Sequence, residues 1–143
     1  MAGMEGLGRI FNVVMTASGV AIALNGASAV TFIGTNDNTF TITVASSFSA
    51  GYATPGNVIT HYYDNSDNGV GTGQWTKVTQ SASNAVVQAS DHATAITVFG
   101  TMLPDPKSYI KCTASSPGDG ALVAIVHDLT VGRAPANLAA LSA

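Results

Sequence analysis

Residues 120–131 read Gly-Ala-Leu-Val-Ala-Ile-Val-His-Asp-Leu-Thr-Val, and this stretch decides the fold of the chain. At the two-residue period of a β-strand both faces begin apolar, with Val123, Ile125 and His127 on one and Leu122, Ala124 and Val126 on the other. An apolar pattern on both faces predicts a strand whose first half is buried on both sides. Gly132 and Pro135 come after it and must end the strand, so we expect the last segment of the chain to reach outward.

Short apolar segments separated by turn signals fill the rest of the chain. Residues 39–44 alternate most regularly, and Phe40, Ile42 and Val44 are predicted to face a core. Asn25-Gly26 predicts a tight hairpin between residues 20–24 and 28–34. A Gly/Asn/Asp/Ser loop predicts a second, long-looped hairpin between residues 57–64 and 74–79. About ten short strands without a long helical period predict an all-β protein, a single antiparallel β-sandwich or jelly roll.

We predict one domain with a flexible arm at each end. The Gly-rich residues 1–8 form the N-terminal arm, residues 9–131 the β-sandwich, and residues 132–143 a C-terminal tail. Residues 135–141 are the one helix candidate, with proline at an early position. No run reaches the roughly 18 apolar residues of a membrane span, so we expect no membrane partner.

The composition limits the classes of function. Charged residues make up 9% of the 143 residues, against about 25% in an average domain. So neutral a surface suits a protein that lies against copies of itself or a larger assembly, or else a secreted β domain rich in Ser and Thr. The net charge is −3, and the basic residues are scattered: Arg9, Lys77, Lys107, Lys111 and Arg133. Nucleic-acid binding needs a clustered basic face, so it is not expected.

The residues that could carry chemistry do not form a known motif. Residues 64–69 resemble the start of a calcium loop, but Trp75 stands where the closing bidentate Glu is needed, which favours an Asx-rich surface loop. His127 and Asp128 are adjacent on a strand and should point to opposite faces. Asp91 and His92 also bring a carboxylate and a histidine together along the chain, but no G-x-S-x-G turn is present for a hydrolase. We predict no enzyme, catalytic residue, metal or cofactor.

Three other features keep a structural and a functional interpretation open. Tyr62, Tyr63, Trp75 and Tyr109 could form a sugar-binding platform, although aromatic residues on strands are more often cross-strand core pairs. Arg133 could pair with a carboxylate of a neighbouring subunit or lie in solvent. The single Cys112 excludes an intrachain disulfide and a Cys-based zinc site, and we expect it on a strand face.

Several segments together resemble the capsid decoration (cement) proteins of tailed-bacteriophage heads, which are small virion structural proteins. The segments that carry the resemblance are Leu-Pro-Asp-Pro-Lys-Ser-Tyr-Ile-Lys at 103–111, Ala-Ile-Val-His-Asp-Leu at 124–129, Val-Gly-Arg-Ala-Pro-Ala-Asn-Leu at 131–138, Arg-Ile-Phe-Asn-Val-Val-Met at 9–15 and Leu-Asn-Gly-Ala at 24–27. The likeness spans most of the chain, but its motifs carry no specific chemistry.

The resemblance implies a β-sandwich on the capsid exterior, at junctions between capsomers. Its expected partners are the major capsid protein and copies of itself, in a homotrimer, with terminal arms making the contacts. The candidate contact residues are Arg133, Pro135, Asn137, Leu138 and Arg9. The alternatives are a phage tail or fibre component, and a carbohydrate-binding β-sandwich module that uses Tyr62, Tyr63 and Trp75.

Overall fold

The computed structural model describes residues 11–16, 18–24, 27–36, 39–67, 73–104, 109–116 and 120–129. Both predicted arms, 1–8 and 132–143, lie outside the described residues. The same holds for the candidate contact residues Arg9, Arg133, Pro135, Asn137 and Leu138, for the helix candidate at 135–141, and for Asn25 and Gly26.

Ten strands run through these residues, joined by turns and loops. They are β1 Phe11–Thr16, β2 Ile22–Ala23, β3 Ala27–Thr35, β4 Thr39–Ala45, β5 Ile59–Asn65, β6 Trp75–Ser83, β7 Ala85–Val87, β8 Ala93–Phe99, β9 Tyr109–Ala114 and β10 Leu122–Leu129. A short 3₁₀ turn follows β8 at Gly100–Met102. Within the described part of the chain, no helix is long and apolar enough to cross a membrane.

The strands form two antiparallel sheets. The larger sheet has six strands in the order β1-β10-β3-β8-β5-β6, and the smaller has four in the order β2-β9-β4-β7. The prediction of an all-β sandwich is therefore confirmed. The chain changes sheet at almost every connection, so neither sheet forms from one continuous segment.

Alternating strand residues form the core between the sheets. In β4, the buried residues Phe40, Ile42 and Val44 alternate with partly exposed threonines, as predicted. The matching residues of the larger sheet are Val30 and Phe32 on β3, Ile96 and Val98 on β8, and Leu122, Ala124 and Val126 on β10. Cys112 on β9 is also buried there, and this burial raises the pKa of its thiol to about 12.

The predicted hairpin around Asn25-Gly26 is wrong. β2 belongs to the smaller sheet and pairs with β9, whereas β3 lies in the larger sheet between β10 and β8. Ala21, Ile22 and Ala23 are all buried, so packing between the sheets holds this short segment in place. A turn signal shows that the chain bends, but it does not show that the flanking segments pair with each other.

The predicted hairpin of β5 and β6 is confirmed, and its loop is held at the base by Asn65. The side-chain amide of Asn65 donates to the carbonyl oxygen of Gly73 at 3.0 Å, and its Oδ1 accepts the backbone N–H of Asp67 at 2.9 Å. A Cβ on Gly73 would overlap the Asn65 side chain, so this position requires glycine. Among the described residues, no group of three His, Cys, Asp or Glu side chains is placed to hold a metal.

The strand predicted to be buried on both sides is buried on one. β10 lies between β1 and β3, and Leu122, Ala124 and Val126 enter the core. Val123 and Ile125 point to the other side of the larger sheet, where they are partly exposed. The alternation showed that both faces are apolar, but it did not show that a second layer covers only one of them.

Candidate interaction surface

The side of the larger sheet that points away from the core forms a continuous surface, here called the outer face. The strand register places one row of its residues across five strands: Lys77, Tyr63, Ala95, Ile33 and Val123. A second row contains Thr97, Thr31 and Ile125, and a third contains Phe99, Ala29 and His127. The backbone of β1 continues these rows by pairing with β10.

The described part of this outer face carries exposed apolar side chains, although Ala29 in its third row is fully buried. Three aromatic side chains on it are well exposed: Tyr63 at 43%, Trp75 at 45% and Phe99 at 42%. Ile33, Val123 and Ile125 are partly exposed in the middle of the sheet. Clusters of exposed apolar side chains commonly mark interaction sites.

The polar side chains at the centre of the outer face bond to one another. The Thr31 hydroxyl is hydrogen-bonded to the Thr97 hydroxyl at 2.8 Å and to Nε2 of His127 at 2.8 Å. These groups can therefore be covered by a partner with little loss, because part of their bonding capacity is already satisfied within the sheet. His127 thus bonds across strands to a threonine.

The outer face of the smaller sheet has a different composition. Thr39, Thr41, Thr43 and Thr113 line it, and Lys111 lies with its ammonium nitrogen 3.8 Å from the centre of the Tyr52 ring. Phe48 meets Tyr109 edge to face, with ring centres 6.5 Å apart. Burial, and to a smaller extent Tyr109, raise the pKa of Tyr52. Sequence reasoning missed this cluster, because Tyr52 and Lys111 are far apart along the chain and no local pattern joins them.

The histidine next to Asp91 is oriented by a different carboxylate. Nδ1 of His92 lies 2.8 Å from Oδ2 of Asp64, which is on β5. Asp91 occupies a left-handed turn position with φ of 60°. Among the described residues, no hydroxyl or thiol is hydrogen-bonded to the other nitrogen of His92. The contact ties the turn before β8 to β5, and it assembles no nucleophile beside the histidine.

The four aromatic residues of the predicted sugar platform are divided among three surfaces. Tyr63 and Trp75 share the outer face, since Tyr63 lies opposite Lys77 and Trp75 is two residues before Lys77 on the same strand. Tyr62 turns the other way and packs against the core, where burial and Asp64 raise its pKa. Tyr109 lies on the smaller sheet. Only Tyr63 and Trp75 can act together at the surface.

Fold and surface together define, within the described residues, a two-sheet β-sandwich whose larger sheet presents exposed aromatic side chains. Neither a protein-family model nor a curated protein matches the chain. Among solved structures, the SPBc2 prophage-derived protein YomS is similar in outline, with a TM-score of 0.46 and 7% identical residues over 81% of this chain and 91% of that chain. A likeness of this size carries no argument about what this chain does.

Proposed function

We propose that this chain is a non-enzymatic structural protein of a bacteriophage virion. In this role it decorates the outside of the capsid by binding across major capsid protein subunits, and it also contacts copies of itself. The observation that carries the proposal is the open apolar outer face, on a chain in which only 9% of residues are charged. The resemblance of its segments to capsid decoration proteins supplies the setting, and it implies a homotrimer.

Binding in this proposal comes from area burial at many equivalent sites. Each copy needs only modest affinity, because contacts to several shell subunits at once make the attachment multivalent. Neither nucleic acid nor membrane is a partner. Lys77 and Lys111, the two lysines among the described residues, lie on opposite sides of the sandwich and do not form a basic patch.

The proposal is tested by mixing the purified full-length protein with capsids that lack it and sedimenting the mixture. We expect saturable binding at a fixed ratio to the major capsid protein. Arg133→Ala should weaken capsid binding by about 2 kcal/mol or more if this guanidinium pairs with a shell carboxylate. Lys111→Ala, which removes a charge from the smaller sheet, is the matched control and should bind normally. Absence of wild-type binding contradicts the proposal.

A carbohydrate-binding module is the second candidate, and the exposed pair Tyr63 and Trp75 favours it. Aromatic side chains on an open sheet could stack on sugar rings, with Tyr62 excluded by its packing against the core. A glycan-binding screen separates the two candidates, since Trp75→Ala should abolish any specific sugar binding. A tail or fibre component is distinguished by locating the protein in the virion with labelled antibodies.

A further inference from the structure

We infer that the first part of β6, residues 75–79, is an edge strap that detaches from β5 while the rest of the sandwich stays folded. The hinge of this movement lies at residues 80–82, where β6 leaves its regular pairing with β5. This inference goes beyond the proposed function and does not depend on it. It identifies a change of shape that the fold permits without opening its core.

The edge strap contributes nothing to the core. None of the nine residues of β6 is buried, whereas the neighbouring strand β5 has the buried residues Ile59 and Asn65. Among the described residues, the core cluster includes no side chain of β6, although Tyr62 of β5 packs against it. Detaching the edge strap therefore opens no cavity between the sheets, and this keeps the cost of the movement well below that of unfolding.

β6 is also held along one side only. It is the last strand of the larger sheet and, within the described part of the chain, it pairs only with β5. Five consecutive register pairs join residues 75–79 to residues 61–65 of β5. β5 itself keeps a second neighbour, because residues 63–65 pair with residues 93–95 of β8. Removal of the edge strap therefore leaves β5 in the sheet.

The register of β6 breaks at the base of the edge strap. Thr79 lies opposite His61. Ser83 lies opposite Ile59, so the three residues 80–82 stand against the single residue of β5 between Ile59 and His61. A bulge of this kind bends a strand and interrupts its ladder of hydrogen bonds. A movement that begins at the tip of the hairpin therefore has a natural end point here.

The chain beyond the hinge belongs to the smaller sheet. The carbonyl oxygen of Asn84 accepts the backbone N–H of Ile42 at 2.9 Å. Val86 is fully buried and lies opposite Phe40. These contacts hold β7 against the core, so the movement of the edge strap cannot spread past the hinge without partial unfolding of the sandwich.

Two side-chain amides clamp the two ends of the edge strap. At the base, the amide of Gln80 donates to the carbonyl oxygens of Ile59 at 3.2 Å and Ala85 at 3.0 Å. At the tip, the amide of Asn65 donates to the carbonyl oxygen of Gly73 at 3.0 Å. Both clamps are hydrogen bonds, so polar contacts close the edge strap and no buried side chain of β6 adds to them.

Opening of the edge strap changes the outer face of the larger sheet. Tyr63 lies on β5 and Trp75 lies on the edge strap, and both rings are well exposed. Detachment moves Trp75 away, whereas Tyr63 stays paired with Ala95 of β8. Any ligand or partner that contacts both rings therefore requires the closed edge strap.

The test is residue-resolved amide hydrogen exchange of the full-length protein, followed by NMR at several urea concentrations below the unfolding transition. We expect the β6 amides that bond to β5 to exchange at least about 100-fold faster than the amides that join β3 to β10. Their exchange should also depend only weakly on urea, because a local opening exposes little surface.

Three substitutions separate local opening from unfolding of the whole chain. Ile42→Val loosens the core, so it should speed the exchange of the β3–β10 amides about fivefold and leave the β6 amides unchanged. Gln80→Leu should speed the exchange of the β6 amides about tenfold, because two hydrogen bonds at the hinge are lost. Gln74→Leu, at an exposed position just outside β6, is the matched control and should leave both sets unchanged.

The inference is overturned if the β6 amides exchange at the same rate and with the same urea dependence as the β3–β10 amides. It is also overturned if Ile42→Val speeds both sets equally, or if Gln80→Leu leaves the β6 amides unchanged. None of these outcomes involves capsids. Failure of this inference therefore leaves the proposed function standing, and absence of capsid binding leaves this inference standing.

Discussion

The two outer faces of the sandwich come from the same kind of strand, but they differ in what they present to the surroundings. On the smaller sheet, β4 places Thr39, Thr41 and Thr43 outward, and their hydroxyls suit contact with water. On the larger sheet, β10 places Val123 and Ile125 outward at equivalent alternating positions. The smaller sheet also exposes Val87, which lies opposite Thr39, so the two faces differ in degree: the larger sheet adds the exposed rings of Tyr63, Trp75 and Phe99. This difference favours an interaction role for the larger sheet.

The comparison requires that the side chain of Ile125 lies on the outer face of the larger sheet, and that side chains such as that of Ile42 lie in the core between the sheets. Ile42→Ala should cost about 2–5 kcal/mol of unfolding free energy, because it opens a cavity among fully buried side chains. Ile125→Ala, measured at a concentration at which the chain is monomeric, should cost about 1 kcal/mol or less. Urea denaturation gives both values. An equal cost would show that the outer face is covered within the single chain, which would break the comparison.

The ionisation of Cys112 tests whether the interior of the sandwich, unlike its two outer faces, is closed to water. The pKa of its thiol is raised from 9.0 to about 12 in the folded chain, so the folded state holds its proton where the unfolded state loses it. The stability that this thiol contributes is fully present below pH 9 and falls by about 1.4 kcal/mol per pH unit between pH 9 and 12.

Urea denaturation at pH 7 to 11 measures this loss, and Cys112→Ala should remove that part of the slope. Tyr52 and Tyr62 add a loss in the same direction above pH 10, in both proteins alike. A thiol reagent should also react with Cys112 only at the rate of unfolding. Fast labelling at pH 7 would show that the interior is open.

The smallest expected effect concerns the contact between Lys111 and Tyr52 on the smaller sheet. Lys111→Met keeps the length of the side chain but removes the charge that lies over the ring, and it should cost about 0.5–1 kcal/mol. Lys77→Met, on the outer face of the larger sheet, is the matched control and should change the unfolding free energy by less. Denaturation of both variants at low and high salt checks the result, and equal costs would contradict the assigned contact.

Short sequence patterns predicted those features of the fold that depend on residues close together along the chain. The alternation of residues 39–44 gave both the strand and its buried face, and the long loop gave the pairing of β5 with β6. Sheet membership was not predictable in this way, because β2 and β3 are neighbours in sequence and lie in different sheets. That outcome depends on distant strands, which no short window contains.

The candidate surface shows the same limit. The pattern of residues 122–127 revealed that both faces of β10 are apolar, yet it could not show which face would meet the other sheet. The contact of His92 with Asp64 joins residues 28 apart, and sequence adjacency suggested Asp91 in its place. Strand register, which only the folded chain has, places these groups together.

The position of β10 also matters for how the chain is made. β10 is the last described strand to leave the ribosome, yet it lies between β1, the first, and β3. Among the described strands β1 pairs with β10 alone, so its hydrogen-bonding edge has no described partner until Leu122–Leu129 have been synthesised. A chain truncated before residue 122 would therefore lack β10 and leave the edges of β1 and β3 that pair with it unpaired. The edges of β1 and β3 in the larger sheet are therefore joined only after β10 has been synthesised.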